Sequence, residues 1–280
     1  MCVIALTGPA TAHENRVVLP LSPSRGRLPA PILTLITLVV LLLTWQLIAA
    51  SGRVPAYFVP TPVRTWLAFT DLVARGYRGH SLLEHLGASL LRVLVAFLGS
   101  ALIGIPLGLG IGASRRLAAM INPLIEFYRP LPPLAYYTLL VIWLGIGDAS
   151  KIALLLLAGL PPVVIATASA VRGVRSDYVH GARSLGATRA QVFRHVILPA
   201  SLPEIFTGLR VSIGFTYTTL VAAEMVAGVN GVGWMVLDAS KFLQSDVIFV
   251  GIILMGVTGL GLDAAMRLIE GWAVPWRGKV

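Results

Sequence analysis

VLVAFLGSALIGIPLGLGIGAS, residues 93–114, contains no Asp, Glu, Lys, Arg or His. The same is true of residues 28–52, 130–147, 152–171 and 247–262, and residues 211–237 are interrupted only by Glu224. A helix needs about 20 mostly apolar residues to cross the hydrocarbon of a bilayer. The sequence therefore predicts an all-α integral membrane protein with six transmembrane helices.

Composition agrees with a membrane protein and excludes an ordinary soluble domain. Hydrophobic residues make up 56% of the chain and charged residues only 12%, whereas about 25% of a typical soluble domain is charged. Strands of membrane barrels are about 10 residues long and alternate in polarity. These runs are longer and continuously apolar, so helices are expected to do the spanning.

Charge distribution predicts which way the chain runs. The predicted spans are residues 30–51, 86–112, 123–144, 152–171, 203–227 and 247–266. With both ends inside, the cytoplasmic segments hold thirteen Lys and Arg residues and the outer segments six. Because these residues accumulate in short cytoplasmic loops, we predict a multi-pass protein of the cytoplasmic (inner) membrane with both termini cytoplasmic. Residues 1–29 form a cytoplasmic tail and residues 30–280 the transmembrane domain, and an amphipathic stretch at 65–74 is expected on the outer membrane surface.

The loop at residues 174–200, which we name the basic segment, carries a series of helix start and stop signals. Ser176 is a candidate N-cap for a first short helix, and Gly186 can adopt the left-handed turn that ends helices. Thr188 followed by Gln191 forms a capping box for a second helix, which Pro199 is expected to stop.

A third capping box, Ser201 with Glu204, is predicted to open the fifth span. The resulting structure is a compact knob with an apolar side and a basic side. Two readings stay open: an ordered loop that is basic because cytoplasmic loops are, or a docking element for an unnamed partner.

The basic segment resembles the cytoplasmic signature of ABC-importer permeases, which is Glu-Ala-Ala, three residues, Gly, nine residues, then Ile-x-Leu-Pro. Ala182 fills the third position, Gly186 the glycine, and residues 196–199 read Val-Ile-Leu-Pro. His180 and Gly181 depart from the usual Glu-Ala, but the spacing from Gly186 to the Leu-Pro pair is intact.

The resemblance covers residues 30–280. Residues 125–152 and 202–236 are similar to the branch that imports sulfonates, nitrate and related small anions, and within it to permeases of taurine importers. The terminal VPWRGKV, residues 274–280, is also similar to that subgroup.

This resemblance implies a type I ABC importer permease fold that works with a second permease copy, two ATPase subunits and an extracytoplasmic substrate-binding protein. ATP and Mg would be bound by the ATPase, and no cofactor by this chain. The residues implied in coupling to the ATPase are Ala182, Gly186, Arg189, Phe193, Arg194, Leu198 and Pro199.

The sequence gives no indication of an enzyme or a metal site. It has no G-x-x-x-x-G-K-[ST] phosphate loop, so any ATP hydrolysis must be performed by another chain. The five histidines have no metal-ligand spacing. The net charge of +10 follows membrane topology, so lipid rather than nucleic acid is the expected partner.

Two charged residues near or within predicted spans are candidates for the translocation path, because ionisable groups in membranes are usually paired or functional. Glu224 either pairs with Arg92 or Lys241, or lines the outward opening. Arg129 either meets an anion leaving the pore or is an interface arginine, with Glu126 as a local partner.

The leading hypothesis is the permease subunit of an ATP-driven importer for a small sulfonate, taurine first. Alkanesulfonate or nitrate are alternative substrates in the same family. An ion-coupled secondary transporter, which would need inverted repeats and broken helices, is the alternative of a different class.

Overall fold

The computed structural model describes residues 29–55 and 57–276, and all regular elements in these ranges are helical. The α-helices are α1 Ala30–Ala50, α2 Pro62–Arg75, α3 Leu82–Ala113, α4 Arg115–Tyr128, α5 Pro133–Leu144, α6 Asp148–Gly173, α7 Ser176–Ser184, α8 Arg189–Val192, α9 Leu198–Ala227, α10 Val232–Lys241 and α11 Ser245–Ala273. A π-helical turn, Phe193–Ile197, joins α8 to α9. The predicted cytoplasmic tail lies almost entirely outside the described residues.

Five of the six predicted spans correspond to long apolar helices: α1, α3, α6, α9 and α11. The third, expected as one helix over 123–144, is instead two shorter helices, α4 and α5. Pro130, Pro132 and Pro133 interrupt it, because proline lacks the N–H that a continuing helix needs. With 12 residues, α5 is about 18 Å long, which is shorter than the hydrocarbon core.

The chain forms two units, residues 1–44 and 45–280. In the described part of the first unit, α1 is apolar along its length and its large side chains are exposed. The second unit includes the end of α1, where the Trp45 ring stacks on Phe249 at 5.4 Å and its Nε1 donates to the Pro60 carbonyl.

Helix α6 is the centre of the second unit and packs against both α3 and α9. Its Leu154, Leu155 and Val163 form the main apolar cluster with residues from those two helices, including Val93 and Leu220. The α6 helix therefore holds the two longest helices of the described chain.

Close approach to α6 depends on glycine. A Cβ atom at Gly108 of α3 would lie 2.6 Å from Thr167 Cβ and 2.8 Å from the Val164 carbonyl oxygen. One at Gly112 would lie 2.5 Å from Val171 Cβ, one turn further along the same contact. Small residues at such spacing let membrane helices approach closely and gain van der Waals contact.

Away from the basic segment, α2, α3, α10 and α11 share a second apolar cluster that includes Leu72, Met235 and Val250. Next to it, Tyr77 in the α2–α3 loop donates its hydroxyl to Asp238 at 3.0 Å. Burial, with the Asp238 carboxylate as neighbour, raises the pKa of Tyr77, which keeps the hydroxyl protonated as a donor. The amphipathic stretch predicted at 65–74 is part of α2, and α2 buries one face against α11.

We expect Gly108→Val to destabilise the protein by about 1–3 kcal/mol, because the added side chain overpacks the α3–α6 contact. Gly87→Val is the matched control on the same helix, since nothing lies within 4 Å of a Cβ at Gly87. Thermal unfolding of the two purified variants measures the difference. Equal melting temperatures would contradict the close-packing role of Gly108.

Candidate functional site

The basic segment forms two short helices that turn at Gly186. The φ angle of Gly186 is +83°, which lies in the left-handed region, as predicted. Glycine carries no Cβ penalty there. Thr188 opens α8 with the expected capping box, its hydroxyl accepting from the Gln191 N–H and the Gln191 side chain accepting from the Thr188 N–H. This half of the sequence prediction is confirmed.

The other signals in this region were misread. Ser176 is the first residue of α7 rather than its cap, because the non-helical cap position falls on Arg175. Pro199 does not stop a helix. The π-helical turn before it sends the Leu198 N–H to the Phe193 carbonyl, and Pro199 follows in the first turn of α9, so the helix continues through the proline.

The predicted capping box at Ser201 is also wrong, since Ser201 lies inside α9 and its hydroxyl donates to the Leu198 carbonyl. Residues Arg189–Ala227 consequently form one continuous helical stretch of 39 residues. The basic segment is thus attached to a spanning helix without an intervening loop.

The residues implied in coupling divide by exposure. Gly186, Arg189 and Arg194 are exposed, whereas Ala182, Phe193, Leu198 and Pro199 are partly buried. Sequence reasoning missed Leu185, which is 91% exposed directly before Gly186. An apolar side chain on a turn that glycine fixes was a signal available in the sequence.

Glu224 lies in a buried ion cluster between α3, α6 and α9. Arg92 Nη1 is 2.7 Å from Glu224 Oε1, and both side chains are almost fully buried. Arg92 also contacts Asp148 Oδ1 at 2.8 Å, and the buried Lys151 lies 3.8 Å from the same oxygen. Of the two partners considered for Glu224, Arg92 is therefore the one found.

Neutral groups also donate hydrogen bonds to the Glu224 carboxylate. The Ser89 hydroxyl donates to the carboxylate at 2.8 Å, and the Gly233 N–H donates to it at 2.9 Å. Gly231, with φ of +111°, packs against the carboxylate so closely that a Cβ there would collide with it. The Arg92 guanidinium also donates to the carbonyl and side-chain oxygens of Asn230. This arrangement neutralises and fixes Glu224 and ties the loop after α9 to α3.

A second ion network connects α9 to α11. Arg210 Nε and Nη2 donate to Asp263 Oδ1 at 3.1 and 3.0 Å, and Arg267 Nη1 contacts Asp263 Oδ2 at 2.7 Å. Glu270 lies 3.8 Å from Arg210 Nη1. The partners of Arg210 lie more than fifty residues away along the chain, so no local pattern indicated this network.

Arg129 lies in the break between α4 and α5 and borders a cavity of about 460 Å³ between these helices, α6 and α9. Within the described part of the chain it makes no ion pair with Glu126, the local partner that was expected. The cavity wall is largely apolar, but it includes Glu204 from α9 and the hydrogen-bonded pair Tyr128 and Tyr136.

Residues 100–273 match the protein family described as a binding-protein-dependent transport system inner membrane component. The chain belongs to this family. It is therefore a multi-pass permease subunit of the inner membrane, without an ATPase domain of its own, from a family that functions with ABC ATPases and binding proteins. The resemblance to ABC-importer permeases is confirmed.

Relatives match along most of the chain. It is 41% identical over 245 residues to the taurine transport system permease protein TauC of Escherichia coli (strain K12), covering 87% of this chain and 89% of that protein. It is 37% identical over 240 residues to the putative aliphatic sulfonates transport permease protein SsuC of Bacillus subtilis (strain 168), covering 86% of each.

A solved structure of the MetNI methionine ABC transporter in inward-facing conformations has a similar fold. The TM-score is 0.60 at 19% sequence identity, over 69% of this chain and 95% of that chain. At this identity the likeness concerns the fold alone. It agrees with the importer permease fold that the sequence implied.

We expect Glu224→Gln to cost about 3–5 kcal/mol of stability, because the loss of the carboxylate leaves Arg92 and Lys151 with Asp148 as their shared counter-charge. The double variant Arg92→Gln/Glu224→Gln restores charge balance and should recover part of the loss. Melting temperatures of the purified single and double variants measure the loss of stability and its recovery.

Asp177→Asn is the matched control, since it removes an exposed pair with Arg175 that is worth at most about 1 kcal/mol. If Glu224→Gln melts like the parent protein but does not transport, a gating role replaces the structural one.

Proposed function

We propose that this chain is the permease subunit of an ABC importer for a small sulfonate, with taurine as the first candidate. The observation that carries the substrate is the 41% identity with TauC along 87% of the chain. The 37% identity with SsuC supports the sulfonate class, with alkanesulfonates as alternatives.

In the proposed topology, α4 and α5 together make the third of six crossings, and both termini are cytoplasmic. The excess of Lys and Arg in the segments between alternate spans supports this orientation. Transport requires a second copy of the permease, for which we propose an identical chain, and an extracytoplasmic binding protein that delivers the substrate.

The proposed motor connection is the basic segment, which docks on an ATPase subunit that binds ATP and Mg. Exposed Arg189 and Arg194 supply a charged rim, and the partly buried Phe193 anchors the segment to the permease. Because the helix runs without a break from Arg189 to Ala227, a displacement of the segment is transmitted to α9 as a rigid-body movement.

The experiment that tests the function is uptake of labelled taurine by proteoliposomes containing the chain with its cognate ATPase and binding protein. We expect uptake to need ATP and to persist when ion gradients are collapsed. Uptake without ATP that follows an ion gradient would establish the secondary transporter instead. Import of nitrate or an alkanesulfonate in preference to taurine would show that taurine is not the main substrate.

Charge reversal in the basic segment tests docking. We expect Arg189→Glu with Arg194→Glu to abolish co-purification of the ATPase, because the reversed rim repels the surface it should complement. Arg115→Glu with Arg116→Glu is the matched control, with two exposed arginines reversed outside the segment. Normal assembly of the first variant would rule out docking through this rim.

Leu185 tests the apolar part of the same contact. We expect Leu185→Asp to lower ATPase affinity about tenfold or more, since it places a charge where a large apolar side chain is to be buried. The permease itself should keep its melting temperature, because Leu185 is exposed in the isolated chain. Unchanged ATPase affinity would place Leu185 outside the contact.

A further inference from the structure

The cavity beside Arg129 carries two opposite charges in a largely apolar wall. Arg129 comes from the break between α4 and α5, and Glu204 from the first turns of α9. Both side chains are exposed, and within the described part of the chain neither takes part in an ion pair. The two groups are therefore available to a ligand.

The remaining wall suits a small molecule with charged ends and a short apolar middle. Pro133, Pro161 and Pro162 and the aromatic ring of Phe215 line it together with the Tyr128–Tyr136 pair. The volume of about 460 Å³ falls in the range of roughly 300–1,000 Å³ that is usual for small-molecule sites.

We propose that this cavity binds a zwitterionic amino sulfonate, with the sulfonate at Arg129 and the ammonium group at Glu204. The inference rests on the proposed function and deepens it. It gives the permease its own selectivity for the ammonium end of the substrate, beyond whatever the binding protein selects. An alkanesulfonate without an ammonium group, or nitrate, can pair with Arg129 but offers no cation to pair with Glu204.

The test is equilibrium binding of labelled taurine and labelled ethanesulfonate to the purified permease–ATPase complex, without the binding protein, up to millimolar concentrations. These ligands differ only in the ammonium group. We expect the parent complex to bind taurine more tightly. Glu204→Gln should weaken taurine binding about ten- to a hundredfold, the value of one charge-assisted hydrogen bond, and leave ethanesulfonate binding unchanged.

Arg129→Gln should weaken both ligands, whereas Arg129→Lys should retain both. Matched controls are Glu126→Gln, on the helix that precedes Arg129, and Arg116→Gln; neither residue lines this cavity, and neither variant should change binding. Each variant is first shown to be folded by its melting temperature.

Failure of the parent complex to bind taurine saturably would overturn the site, as would equal weakening of both ligands by Glu204→Gln. ATP-driven uptake is measured in parallel. If taurine is imported while the complex does not bind it, the cavity proposal fails and the importer function stands. If the assembled transporter imports no sulfonate, the proposed function fails, and this inference with it.

Discussion

The close contact of α3 and α9 with α6 is the constraint on which the described structure depends. In lipid, burying apolar surface between helices gives little driving force, because the surrounding chains are equally apolar. Association must come from van der Waals contact at short range, and that requires small residues where helices meet. Gly108 and Gly112 of α3 meet α6 on one side, and Gly159 of α6 meets Thr216 of α9 on the other.

Ion pairs fix these helices at further levels. Away from the basic segment, Arg92 and Glu224 join α3 to α9, and Asp148 brings in α6. Nearer the start of α9, Arg210 and Asp263 add α11. Because an unpaired charge in a membrane is costly, each pair holds its helices in one register. The contacts therefore make α9 part of a larger body, and force applied to the basic segment acts on that body rather than on one helix.

Sequence reasoning recovered what depends on local pattern. Long uncharged runs predicted five helices correctly, and Gly186 and the Thr188–Gln191 box predicted the turn and start of α8. It failed where a local signal has two outcomes. Pro199 can stop a helix or lie in its first turn, and the choice depends on the π-helical turn before it, which no periodicity announces.

Long-range pairing was equally hidden. Arg92 was one of two partners considered for Glu224, and separation along the chain could not decide between them. The pairing of Arg210 with Asp263 was not anticipated at all, because Arg210 lies near the start of one span and Asp263 near the end of the next, more than fifty residues along the chain. The third span was predicted as one helix because its composition is apolar, in spite of its three prolines. In the structure the missing N–H groups of these prolines divide it into α4 and α5. Arg129 lies in that break and borders the cavity there.

The α6–α9 contact is close along its length, and this closeness limits how access can alternate. Thr216, Leu220 and Glu224 are buried in the half away from the basic segment, and nearer that segment a Cβ at Gly208 would lie 2.2 Å from Ala166 Cβ. Opening that half between α3 and α9 would separate the buried Arg92–Glu224 pair, and separating a buried ion pair is costly. Moving the three helices together avoids that cost. The boundary that opens must then lie outside the α3–α6–α9 body, at a surface that it presents to another part of the assembled transporter.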